Sequence, residues 1–108
     1  MKKRGLVWTE RAVADLESIE RYIAAHDPAA AARWIDRLLA APVRLAKLPM
    51  SGRIVPEIGR PDIRETRVRT YRIVYRVTER RIEILTVFEG HRLLPLAAVS
   101  PRSRKKRR

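Results

Sequence analysis

The feature that most constrains this 108-residue chain is a change of period at Pro49. Before it, apolar residues recur every three or four positions, as one face of a helix demands; after it they alternate, as a strand demands. Ala12, Leu16, Ile19 and Ile23 form the first helical stripe. Thr9 is placed to cap it and Glu10 to complement the positive end of its dipole, which predicts a helix over about 10–25. Glu17 and Arg21 add an i,i+4 pair. Asp27-Pro28 opens a second helix, with Asp27 as cap and Pro28 at the first helical position. Ala31, Ile35 and Leu38 continue its stripe and Trp34 widens it. Pro42 predicts a kink, because Leu45 and Leu48 stay in phase beyond it. Two helices about three residues apart form an antiparallel hairpin.

Pro49, Gly52, Pro56, Gly59 and Pro61 punctuate a loop of about 13 residues, a length often tied to function. Strands are predicted at 63–69, 71–77 and 82–88, the last two joined by 78–81 as a hairpin. Tyr71, Ile73, Tyr75 and Val77 share one face; Arg72, Val74 and Arg76 share the other. In the next strand Ile82, Ile84, Thr86 and Phe88 oppose Glu83, Leu85 and Val87. The apolar segment 93–99 reads as an edge strand or a turn of helix. The expected fold class is α+β: an N-terminal strand and a two-helix hairpin packed on one face of a small, curved antiparallel sheet.

With the helices on one face, the other face is expected to be open and arginine-rich. Residues 60–81 hold eight arginines and three acids. Arg64, Arg67, Arg69, Arg72, Arg76 and, past the last strand, Arg92 are the candidate partner-binding residues. Val74, Leu85 and Val87 between the charges suit an acidic, partly apolar partner, or RNA phosphates. His91, after Gly90 at a strand end, is the candidate general acid or base, with Arg72 and Arg92 beside it as a runner-up catalytic set. His26 reads as a dipole partner at a helix C-terminus, and Glu57, Glu65 and Glu89 as members of local ion pairs.

The formal charge is +13, from 25 basic and 12 acidic residues. Three bases fall in residues 1–4 and six in 101–108, so the body carries far less. The expected organisation is a basic N-terminal segment (1–5), one domain (6–97) and a disordered basic tail (98–108) that attracts polyanions without sequence preference. Absence of cysteine excludes disulfides, thiolate metal sites and a cysteine nucleophile. Two histidines 65 residues apart make no metal cage, and no glycine-rich phosphate loop is present, so neither metal nor cofactor is expected. No apolar run approaches the ~18 residues of a membrane span, so no membrane role is expected, and a cytoplasmic location is.

Four stretches, in order, resemble the RelE/ParE toxins of bacterial type II toxin–antitoxin modules, the ParE branch more than the RelE branch. They are LVWTERAVADLESIERYIA (6–24), LPMSGRIVPEIG (48–59), IRETRVRTYRIVYRV (63–77) and IEILTVFEGHR (82–92). The resemblance implies the fold derived above. It also implies an acidic antitoxin, encoded alongside, that wraps the chain in a hetero-oligomer by helix-in-groove and strand-addition contacts. In the RelE branch the implied activity is ribosome-dependent mRNA cleavage, and Arg72 and Arg92 match two of its basic positions. The chain has no lysine between Lys47 and Lys105 and no tyrosine after Tyr75, and Arg64-Glu65 stands where a lysine would precede the Tyr-Arg strand. The ParE branch implies binding and poisoning of DNA gyrase without hydrolysis by the toxin itself. A non-toxic basic nucleic-acid-binding module is the third alternative.

Overall fold

The computed structural model describes residues 3–99. In chain order it contains β1 (Gly5–Trp8), α1 (Glu10–Ala24), α2 (Pro28–Ala40), a 3₁₀ turn (Ala41–Ala46), β2 (Arg53–Ile54), β3 (Ile63–Val68), β4 (Tyr71–Val77), β5 (Arg81–Glu89) and a second 3₁₀ turn (Leu96–Val99). The helix starts follow their local chemistry. The Thr9 hydroxyl accepts from Ala12 N at 3.2 Å and the Asp27 carboxylate from Ala30 N at 3.1 Å, each satisfying one orphan donor. Pro42 acts as expected of a residue that cannot continue the α-helical ladder: α2 tightens into the 3₁₀ turn instead of stopping.

The sheet has five strands in the order β1-β5-β4-β3-β2. β2 to β5 pair antiparallel, whereas β1 lies parallel to β5, so the sheet is mixed. The α+β class holds, with both helices packed on one side. That side buries Ala12, Leu16 and Leu38 against Ile73, Tyr75, Ile82 and Ile84. Each fully buried isoleucine contributes roughly 1.5–3 kcal/mol of transfer free energy. Tyr75 reaches across to fasten the loop before β2: its hydroxyl donates to Pro49 O (2.8 Å) and accepts from Gly52 N (3.0 Å). Glycine is required at 52, because a Cβ there would lie 2.5 Å from both Glu65 O and the Tyr75 hydroxyl. β3 and β4 join through Arg69-Thr70, with Arg69 at φ 56°, a strained setting for a residue with a side chain.

Two expectations fail here. The second sheet face is not open. Val55 and Ile58 from the loop, and Leu94 and Val99 from the C-terminal segment, close over Ile63, Val74, Leu85 and Phe88 as a second core. The apolar residues between the arginines were enough to nucleate it. Secondly, Val87 and Phe88 exchange faces. A register shift at Val74/Tyr75 pairs Tyr75 with Ile84, leaving Leu85 as the extra residue on β5. A bulge reverses the inside–outside parity beyond it, so Val87 joins the helix-side core and Phe88 the other. Ala98 and Val99 are buried in the last turn. The remainder of the expected basic tail, residues 100–108, lies outside the described residues.

Candidate partner-binding surface

β4 brings Arg72 to the second face, but the side chain is only 5% exposed. Its Nε donates to Glu65 Oε1 at 2.6 Å, and Nη1 and Nη2 clamp the two Glu57 oxygens at 2.8 Å each. Arg53 closes the set by donating to the other Glu65 oxygen. Phe88, delivered by the bulge, lies under the guanidinium at 5.0 Å. The four charges cancel. The Arg72 guanidinium holds the Glu57 carboxyl down at about 2, and the two carboxylates push the Arg72 pKa upward. Arg72 is therefore a structural clip that ties the 55–59 loop to the sheet, not an exposed binding group. The alternation was read correctly; what it could not show was a carboxylate arriving from Glu57 to neutralise the charge.

Arg76 is half-buried, 3.6 Å from the buried Glu83 and within reach of Val99 O. Arg64 is also committed, through Nε to Pro61 O at 2.8 Å and Nη1 to Gly52 O at 2.9 Å. Of the six candidates, Arg67, Arg69 and Arg92 stay exposed, and among the described residues their side chains enter no hydrogen bond or ion pair. They gather at one end of the sheet. Gly90 N donates to Thr70 O in the β3–β4 turn, and a Cβ on Gly90 would lie 3.2 Å from the Arg67 guanidinium. His91 is at this end too, with 85% of its side chain exposed. Glu89 accepts from its backbone N (2.8 Å) and lies 2.7 Å from its Nδ1. These contacts hold the Glu89 carboxyl below its ordinary pKa. Arg72 faces the second core while His91 sits in an exposed turn, so the runner-up set Arg72, His91 and Arg92 does not converge on one reacting centre.

Beside this end lies a cleft of about 860 Å³ between α1 and β5. Asp15 and Tyr22 line one wall, Tyr71 and Glu89 the other, and Arg92 and Leu93 the rim. Asp15 accepts from the Thr86 hydroxyl at 2.6 Å and Val87 N at 3.0 Å, docking α1 onto β5. Tyr22 is 73% exposed and Leu93 93% exposed. Burial raises the Tyr71 pKa. Sequence reasoning missed this cleft. The one signal for it was Tyr22, an aromatic side chain standing off the apolar stripe of α1. Among the described residues no cluster of acids and histidines could hold a metal ion, and no helix is long and apolar enough to cross a membrane.

Residues 6–94 match the family described as the ParE toxin of the type II toxin–antitoxin system parDE. The chain is 40% identical over 100 residues to the Y4kP protein of Sinorhizobium fredii, covering 88% of this chain and 97% of that one. It is 36% identical over 88 residues to Toxin RelE2 of Caulobacter vibrioides, covering 82% and 97%. Among solved structures it resembles a chain of the chromosomal ParDE system from P. aeruginosa, with TM-score 0.68, 23% identity and coverage of 81% and 96%. It also resembles a chain of the RelBE2 toxin–antitoxin complex from Mycobacterium tuberculosis, with TM-score 0.50, 23% identity and coverage of 82% and 93%.

Proposed function

Because this chain belongs to the ParE toxin family of type II toxin–antitoxin systems, we propose that it acts by binding, as a gyrase poison neutralised by an acidic antitoxin. The observation that carries this reading is the fate of Arg72. Cleavage of RNA needs a proton carrier and charge stabilisation aimed at one phosphate. Here the best-matched basic residue of the nuclease branch is enclosed by Glu57 and Glu65, and His91 is engaged by Glu89 in an exposed turn. What remains available is a cationic surface, Arg67, Arg69 and Arg92, suited to an acidic polypeptide. The antitoxin would be the first such polypeptide and a gyrase subunit the second.

Two assays on the purified chain test this. Supercoiling of relaxed plasmid by gyrase should fall as the chain is added and recover when the antitoxin is supplied. Translating ribosomes should leave their mRNA uncut. Unimpaired supercoiling together with cleavage of ribosome-bound mRNA would overturn the reading in favour of the interferase.

A further inference from the structure

The cleft between α1 and β5 plays no part in that reading, and its chemistry is distinct from the rest of the surface. Its two acids are satisfied internally: Asp15 by Thr86 and Val87 N, Glu89 by His91. Its bases are in excess. Arg11 stands on its α1 wall, 45% exposed and 3.8 Å from Asp15, and Arg92 stands at its rim. The cleft opens onto the end of the sheet that carries Arg67 and Arg69. Between the guanidinium groups lie two aromatic rings, Tyr22 and Tyr71. Tyr71 is braced edge-on by Trp34 at 5.6 Å, which fixes its ring, whereas Tyr22 is free to meet a ligand.

Flat aromatic faces flanked by unpaired arginines are the recognition chemistry of single-stranded nucleic acid: bases stack on the rings and phosphates follow the cations. A protein strand adding to β5 fits less well, because Asp15 already occupies the Val87 N–H, a donor such a strand would need.

We propose that this cleft binds a short stretch of single-stranded nucleic acid, with Tyr22 and Tyr71 as stacking platforms and Arg92, Arg11, Arg67 and Arg69 as phosphate contacts. The proposal adds a nucleic-acid contact to a chain otherwise read as a protein binder, and it stands or falls independently of the gyrase assay.

Fluorescence anisotropy with a labelled twelve-residue oligothymidylate tests it on the full chain. Binding should weaken about five-fold or more in Tyr22→Ala, since loss of one stacking platform costs at least that much. Arg92→Ala should weaken binding and lower the slope of log affinity against log salt by about one. Tyr22 is exposed, so an unchanged melting curve should accompany its loss of binding. Trp34 fluorescence should change on saturation, because it touches Tyr71. Three results would overturn the proposal. In the first, Tyr22→Ala binds as the parent does while removal of residues 101–108 abolishes binding, which assigns affinity to the tail. In the second, a duplex binds as tightly as the single strand and is equally insensitive to Tyr22. In the third, Tyr22→Ala loses an acidic amphipathic peptide but not the oligonucleotide, which gives the cleft to a protein.

Discussion

Replacing Arg72 with leucine should be a stability mutation and leave the partner-binding surface untouched. The Arg72 side chain makes three charge-assisted hydrogen bonds, one to Glu65 and two to Glu57. The carboxylates differ in their need for it. The Glu57 side chain is 40% exposed and can turn to water; the Glu65 side chain is fully buried and cannot. After Arg72→Leu, Glu65 keeps only Arg53, which is itself largely exposed. Losing one partner of a buried pair costs about 3–5 kcal/mol, most of it from the stranded charge. For a domain of this size that is a fall in melting temperature of roughly 12–25 °C. Urea unfolding of the parent, Arg72→Leu, Glu65→Leu and the double variant completes the cycle. The double variant should recover much of the loss, because no uncompensated charge stays inside. A loss below about 1 kcal/mol for Arg72→Leu, the range of exposed ion pairs, would refute the reasoning and return Arg72 to the surface.

The same network makes the fold acid-sensitive. Glu57 has its pKa lowered from 4.5 to about 2 in the folded chain, so its contribution is fully present above pH 4.5 and disappears as pH falls from there towards 2. Discounted for its exposure, the acid-labile part is about 1 kcal/mol. Melting curves between pH 6 and 2.5 should show it in the parent and not in Glu57→Gln. Gly52→Ala should destabilise by about 1–3 kcal/mol, as overpacking does. Its Cβ would press on the Glu65 carbonyl and on the Tyr75 hydroxyl that fastens the loop, and differential scanning calorimetry measures the loss.

Local chemistry was legible from the chain alone. Thr9 and Asp27 cap helices because a side-chain oxygen and a free N–H lie three residues apart in any context. Pro42 changes the helix because it lacks an N–H wherever it is placed. Alternation set the faces of β4 for the same kind of reason, and the pairing of Glu57, Glu65 and Glu89 with nearby bases was likewise expected from their positions.

What the sequence by itself determined, then, was each element, its ends and its inward stripe, since these rest on groups within a few residues of one another. The tertiary structure decided which charges stay in water. Arg72 and Arg92 look alike in the sequence. Burial of the first depends on Glu57, fifteen residues away, arriving over the sheet, and on a bulge at Leu85 that swings Phe88 beneath it. Desolvating a guanidinium is costly unless its partners are already in place. Whether those partners meet is a property of the folded chain, and so is the cleft that Arg92 borders between α1 and β5.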